Sequence, residues 1–156
     1  MSFSVDANIL LYASDTSSPR HETARRLLAG ETQKPEILYL AWPVVMAYLR
    51  IATHPRIFDS PLTPDAALSN VRNLLALPRV RPIGETPGFL DTYSTVTGEL
   101  TVRGNLVPDA HLATILFQHG IRVLYTHDAD FRRFEFLEVR NPFRPGTEGS
   151  AVNKPL

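Results

Sequence analysis

Asp6, Asp109 and Asp128 each stand where a short apolar run stops or a helix begins. Their settings are Phe3-Ser4-Val5-Asp6-Ala7-Asn8, Asn105-Leu106-Val107-Pro108-Asp109-Ala110 and Leu124-Tyr125-Thr126-His127-Asp128-Ala129-Asp130-Phe131. A lone aspartate at such a junction is ordinarily a helix cap or a turn former. Three of them in one small chain suggest a shared carboxylate pocket. Ionised carboxylates repel one another unless a hard cation or protons hold them together, so the economical reading is a Mg²⁺ or Mn²⁺ site serving metal-dependent phosphoryl transfer. Asp130, two residues past Asp128, either faces the same pocket on an extended segment or caps the turn beginning at Phe131. Asn8 and Thr126 are short polar neighbours suited to hydrogen-bonding the acids or a coordinated water, or to capping local turns.

For these acids to meet, the elements carrying them must converge. Ser2 to Val5 reads as a buried strand with a helix starting at Asn8, so Asp6 lies at the strand's carboxyl end. Ser18-Pro19 supplies a cap and a first-turn proline for a helix bearing His21, Ala24, Leu27 and Leu28, stopped by Gly30. Ile37 to Leu40 has strand character, and Trp42-Pro43 opens a helix to about Ala52. That helix is apolar all round except for Arg50, which requires burial on most sides. Thr63-Pro64-Asp65 starts a further helix with Leu68, Val71 and Leu74/Leu75 at helical spacing, ending by Pro78. Val80 to Ile83 and Arg122 to Tyr125 read as strands, Leu137 to Val139 as a last short one, and Thr86 to Glu99 as a helix. Asp109 to His119 is amphipathic, with Ala110, Ala113, Leu116 and Phe117 inward and Pro108 at its first position, so the helix dipole favours ionised Asp109. Alternating strands and helices imply a parallel sheet covered on both faces, in which ligands bind beyond the carboxyl ends of the strands.

At 156 residues and 44% apolar content the chain builds one core rather than two. No run is long enough to cross a bilayer, and no basic leader or cleavage site precedes the first strand, so the mature protein is expected to start at or near Met1. The absence of cysteine excludes disulfides, thiolate metal sites and cysteine nucleophiles, and it suits a reducing cytoplasm. Sixteen basic residues balance sixteen acidic ones, which argues against a protein that coats nucleic acid through a strong overall field and favours self-association. Only Lys34 and Lys154 are lysines; the other basic residues are arginines, the residue that forks onto phosphate, although coding bias produces the same preference. Residues 146–156 are polar and rich in small residues and prolines, and are expected to be a disordered tail.

Val5-Asp6-Ala7-Asn8, the block from Gly104 to Ala113, Thr126-His127-Asp128-Ala129-Asp130-Phe131 and Asn141-Pro142 together resemble a PIN domain of the VapC toxin family, in order and spacing, over about residues 1–143. The resemblance implies a single-domain α/β PIN-like fold, with a central mostly parallel sheet, helices on both faces and a tail at 144–156. It implies a Mg²⁺- or Mn²⁺-dependent endoribonuclease, the toxin of a toxin–antitoxin pair, acting as a homodimer in the cytoplasm and restrained by a cognate VapB antitoxin. Asp6, Asp109 and Asp128 take the metal-ligand and catalytic positions, with Asp130 adjoining. One departure stands out. The family's helix-three glutamate corresponds to Ala47, and no acid lies between Glu36 and Asp59. A missing carboxylate weakens any second metal site, since each cation needs several anionic oxygens.

On this reading the metal activates a water for in-line attack on an RNA phosphodiester. Arg25, Arg26, Arg50, Arg56, Arg132 and Arg133 are the candidate phosphate contacts flanking the acidic pocket. Trp42 and Tyr48 belong to core or dimer packing rather than base stacking, and His127 to a solvent-facing loop. The apolar helix from Trp42 and the helix after Thr63 offer surface for dimerisation and antitoxin docking. Two rivals carry other expectations. A phosphoaspartyl enzyme needs a second acid beside Asp6 and a lysine late in the domain; Asp6-Ala7-Asn8 lacks that acid, and Lys154 lies in the tail. A PIN-like module that binds RNA or antitoxin without cutting is the reading that Ala47 favours.

Overall fold

The computed structural model describes residues 2–31 and 36–144; the expected tail from residue 146 lies outside them. Five parallel strands form one sheet in the order β3-β2-β1-β4-β5. These are β1 (Ser2–Val5), β2 (Ile37–Ala41), β3 (Val80–Ile83), β4 (Val123–Tyr125) and β5 (Glu138–Arg140). Six helices connect them: α1 (Ala7–Ser14), α2 (His21–Ala29), α3 (Trp42–Ala52), α4 (Pro64–Leu75), α5 (Phe89–Thr97) and α6 (Leu106–Gln118). The chain moves outward from β1 to β3 through α1–α4, then returns through α5 and α6 to the far side of β1. By the right-handed rule for parallel crossovers, connections running outward and connections running back cover opposite faces of the sheet. The strand order reverses between β1 and β4, the crevice where open parallel sheets bind ligands.

Register fixes which residues meet at that crevice. Val5 pairs with Tyr125, so Asp6 and Thr126 emerge side by side, tied by the Asp6 N–H to Tyr125 carbonyl bond at 3.0 Å. A one-residue slip would turn every side chain of β1 to the other face of the sheet. The slip is resisted by burial: Val5, Ile9, Leu38, Leu40, Ile115 and Leu124 are fully enclosed, each stabilising the fold by roughly 1.5–3 kcal/mol. Buried Ser4 donates to the Tyr39 carbonyl at 2.6 Å, and no buried side-chain polar atom among the described residues lacks a partner.

Several boundaries depart from the sequence expectation. α1 begins one residue early, which makes Asp6 its N-cap. Ser18 and Pro19 form a turn before α2, Ser18 Oγ accepting the Arg20 N–H at 3.1 Å, and α2 starts at His21. Gly30 ends α2 in the left-handed conformation (φ 71°), where the Arg79 guanidinium lies against it and donates to the Leu28 carbonyl. The helix expected from Thr86 to Glu99 is trimmed to α5, opened by Gly88 at positive φ. α6 starts at Leu106, so Pro108 is its third residue and Asp109 its fourth; Phe117, expected inward, is 45% exposed and packs edge-on against Phe136. In α4 the buried positions are Ala67 and Val71 rather than Leu68.

α3 is less enclosed than its composition suggested. Val44, Val45, Tyr48 and Ala52 face the core, but Trp42 and Met46 lie at the surface, Met46 with 56% exposure. Tyr48 is a core residue with a polar end: its hydroxyl meets Ser14 Oγ at 2.7 Å and accepts from Asn70 Nδ2 at 3.0 Å, joining α1, α3 and α4. Tyr48→Phe keeps the ring and strips these partners, so urea unfolding should show a loss of about 1 kcal/mol at unchanged m-value.

Candidate active site

Asp6 leaves β1 with extended backbone (φ −87°, ψ 165°), and its Oδ1 accepts the Ala7 N–H at 2.7 Å, capping α1. Its Oδ2 accepts from Asn8 Nδ2 at 3.1 Å and from Thr126 Oγ1 at 3.0 Å. Asn8 Nδ2 also donates to Thr126 Oγ1 at 2.9 Å, and that oxygen accepts the Asp128 N–H at 3.0 Å. Thr126 itself is held by its own N–H on the Arg140 carbonyl at 3.0 Å. Asn8 and Thr126 thus do both things left open by the sequence, orienting one carboxylate and fixing the backbone that carries another. Burial pushes the Asp6 carboxyl above its usual range, opposed by the Ala7 and Thr126 bonds, with Asp128 adding to the rise.

The other acids converge on this corner. Asp109, Asp128 and Asp130 each place one carboxylate oxygen within 4.8 Å of the others. Asp6 is outside that group, but its charge is felt by Asp109. The Asp109 carboxyl accepts no hydrogen bond from any described residue and is pushed up to about 7, first by burial and then by the charges of Asp128, Asp6 and Asp130. Asp128, not Asp130, caps the following turn: its Oδ1 accepts the Asp130 N–H at 2.9 Å at the head of a 3-10 turn over Ala129–Arg133. Asp130 is exposed, with Arg133 at 3.9 Å. Closely set carboxylates, at least one resisting ionisation and none neutralised by a tight ion pair, form an all-oxygen donor set that matches a hard divalent cation.

The arginines divide. Arg25 and Arg26 are engaged on α2 and beyond it, Arg25 on Glu22 at 2.8 Å and Glu31 at 3.2 Å, Arg26 on Glu22 at 3.1 Å. This pairing holds Glu22 down at about 2, chiefly through Arg25, and leaves little free charge for phosphate. Arg132 and Asp128 line one small hollow, and Arg133 reaches Asp130. Arg50 and Arg56 are exposed and make no contact with the acids. α3 brings no carboxylate to the cluster, in keeping with Ala47.

The PIN domain family profile matches residues 4–137. Ribonuclease VapC48 of Mycobacterium tuberculosis is 41% identical over 143 residues, covering 92% of this chain and 99% of that protein. This chain belongs to the VapC family of PIN-domain proteins. Two solved structures share the fold. Mycobacterium tuberculosis VapC20, described as a toxin cleaving the sarcin-ricin loop, superposes with TM-score 0.63 at 23% identity, covering 89% of this chain and 99% of that one. VapBC2 of Rickettsia felis, bound to a DNA fragment from its promoter, superposes with TM-score 0.63 at 18% identity, covering 90% and 98%.

In this VapC chain the sequence did not point to the surroundings of His127. The His127 ring lies edge-on to Tyr12 at 5.8 Å, and Tyr12 lies edge-on to Phe143 at 5.1 Å, with the Arg20 guanidinium over both Tyr12 and Phe143. The signal was present in part. Ile57 and Phe58 are large apolar residues in a loop bracketed by Pro55 and Pro61, where polar residues are the norm.

Proposed function

We propose that this VapC chain is a divalent-metal-dependent endoribonuclease, the toxin of a toxin–antitoxin pair, using Mg²⁺ or Mn²⁺ to hydrolyse RNA phosphodiesters. The observation that carries the reading is the convergence of Asp6, Asp109, Asp128 and Asp130 at the crevice between β1 and β4, where burial first and then the neighbouring acids raise the Asp109 carboxyl to about 7. Asp109, Asp128 and Asp130 would hold the cation, with Asp6 completing the anionic wall. When bound, the cation supplies Lewis-acid activation of water and offsets the charge that grows on the phosphate oxygens. The chain's own residues do the rest. Asn8 and Thr126 keep Asp6 in one rotamer, Thr126 anchors the Asp128 backbone, and Arg132 and Arg133 set positive charge at the rim where the polyanion enters. Arg50 and Arg56 are weaker candidates for the outer path of the RNA, and Arg25 and Arg26 are weaker still because their charge is already matched.

A VapB-type antitoxin, homodimerisation and a cytoplasmic setting belong to the same reading. The apolar surface of Trp42 and Met46 on α3 supports the first two, and among the described residues no helix is long and apolar enough to cross a membrane. The test is cleavage of labelled RNA by purified protein. Turnover should require Mg²⁺ or Mn²⁺, stop in EDTA, and fall by at least about a hundredfold in Asp6→Asn, the scale of one lost electrostatic group. Full activity in EDTA, or an undiminished Asp6→Asn, would overturn it.

Thr126 offers a second check. Thr126→Val preserves shape while removing the bond to Asp6 and the acceptor for the Asp128 N–H, so activity should drop about 10–100-fold. Thr126→Ser, which restores the hydroxyl, should recover most of the loss.

A further inference from the structure

Beside the acidic corner lies a second cleft of about 280 Å³, formed where the loop at Ile57–Asp59 faces α1. Asn8 and His127 form its wall on the side of the cluster, so the cleft and the carboxylates share a boundary. Its volume is below the roughly 300–1,000 Å³ of sites for drug-sized ligands and suits one flat heteroaromatic group. Its floor is apolar and aromatic, with Phe58 half-buried and Ile57 54% exposed, surface that a monomer gains nothing by leaving in water.

The polar groups decide what fits. Asp15 and Asp59 are the acids of the lining, and no arginine or lysine is among the lining residues. Asp15 Oδ1 is occupied by the Ser17 N–H at 3.1 Å and the Ser17 hydroxyl at 2.6 Å, but the Asp59 carboxylate accepts nothing from any described residue. A phosphate is excluded by charge. A planar group with adjacent N–H donors is attracted, because an ionised carboxylate only accepts. Single-stranded RNA offers such a group next to every phosphodiester, and proteins read it by stacking the splayed base and bonding its Watson–Crick edge.

We propose that this cleft receives the base adjoining the phosphodiester to be cut and selects guanine there, with Asp59 reading its edge and Phe58 supporting its ring. Guanine presents N1–H and N2–H side by side, the spacing that both oxygens of one carboxylate accept together. Uracil presents one N–H between two carbonyls, which the carboxylate repels. The inference rests on the nuclease reading for its placement beside the cut.

The experiment has two arms. A randomised RNA pool is cleaved in Mn²⁺ and the new ends are sequenced. Guanine should be enriched beside the cut, and Asp59→Asn should reduce that enrichment about tenfold. In parallel, tetraribonucleotides with G, A, C or U at the centre are bound to Asp109→Asn protein and followed by fluorescence anisotropy. G should exceed U, the gap should close in the Asp59→Asn double variant, and Phe58→Ala should weaken all four about tenfold where Phe58→Tyr does not. An uncut pool overturns the nuclease reading, and the binding arm then decides the cleft alone. Base enrichment or binding that Asp59→Asn leaves unchanged overturns the proposal, as does the same substitution loosening the antitoxin complex without altering base preference.

Discussion

Asp128→Asn is expected to lower RNA cleavage by about 10³-fold, the upper range for removing one preorganised electrostatic group, with no measurable loss of fold. The residue has two roles that the substitution separates. As a cap, Asp128 accepts the Asp130 N–H, and an asparagine oxygen accepts it equally well. As a member of the acidic group it supplies negative charge, which asparagine cannot. Circular dichroism and thermal midpoint should therefore match the wild type while turnover collapses. Asp128→Ala removes both roles, so the same catalytic loss should come with about 1 kcal/mol of destabilisation. If Asp128→Asn retained wild-type turnover, the cluster would not be the seat of the chemistry.

The second large effect is a dependence of stability on pH that a divalent cation reverses. The Asp109 carboxyl rises from 3.8 to about 7 on folding, and that of Asp6 rises as well. The folded state therefore holds protons that the unfolded chain releases, and stability must fall as pH climbs between about 4 and 7. This is opposite to the usual carboxylate, such as Glu85, which its His111 partner holds low and which therefore supports the fold above its ordinary range. In EDTA the thermal midpoint should decline across that window, and Asp109→Asn should flatten the decline. Above pH 7, Mg²⁺ or Mn²⁺ at a hundred times its dissociation constant should return about 2.7 kcal/mol, a rise of roughly 5–10 °C. RNA cleavage should rise through the same range, since a protonated Asp109 is a poor ligand. A midpoint that climbs with pH in EDTA, or ignores the cation, would contradict this account.

Much of the fold was legible because the sequence repeats one physical pattern. Apolar runs of strand length ending in Asp6 or Thr126, and helices opened by Pro43, Pro64 and Pro108 or closed by Gly30, are local signals, and the parallel α/β sheet follows from their alternation. The acid positions were legible for the same reason. Less legible was everything set by distant packing. Phe117 reads as an inward residue of α6 until Phe136 meets it from outside. Met46 lies at the surface because α3 packs its Tyr48 side against α1 and α4. The partition of roles among the acids also needed three dimensions. No spacing rule says that Asp6 spends its oxygens on Ala7, Asn8 and Thr126, or that Asp109 is the carboxyl left without a donor. The Ile57–Asp59 cleft was only partly legible because its walls come from α1, Ile51, the Ile57–Asp59 loop and His127, stretches that only the fold brings together.

The order of the strands has a consequence for how the cell makes this protein. β1 contributes Asp6 well before its neighbour at the crevice, β4, is made, and three of the four acids lie beyond residue 108. A nascent chain that has not yet reached Asp109 carries a single member of the group. The four acids can meet only after Asp130 has been made, so a chain cut short before β4 should lack the chemistry proposed for them.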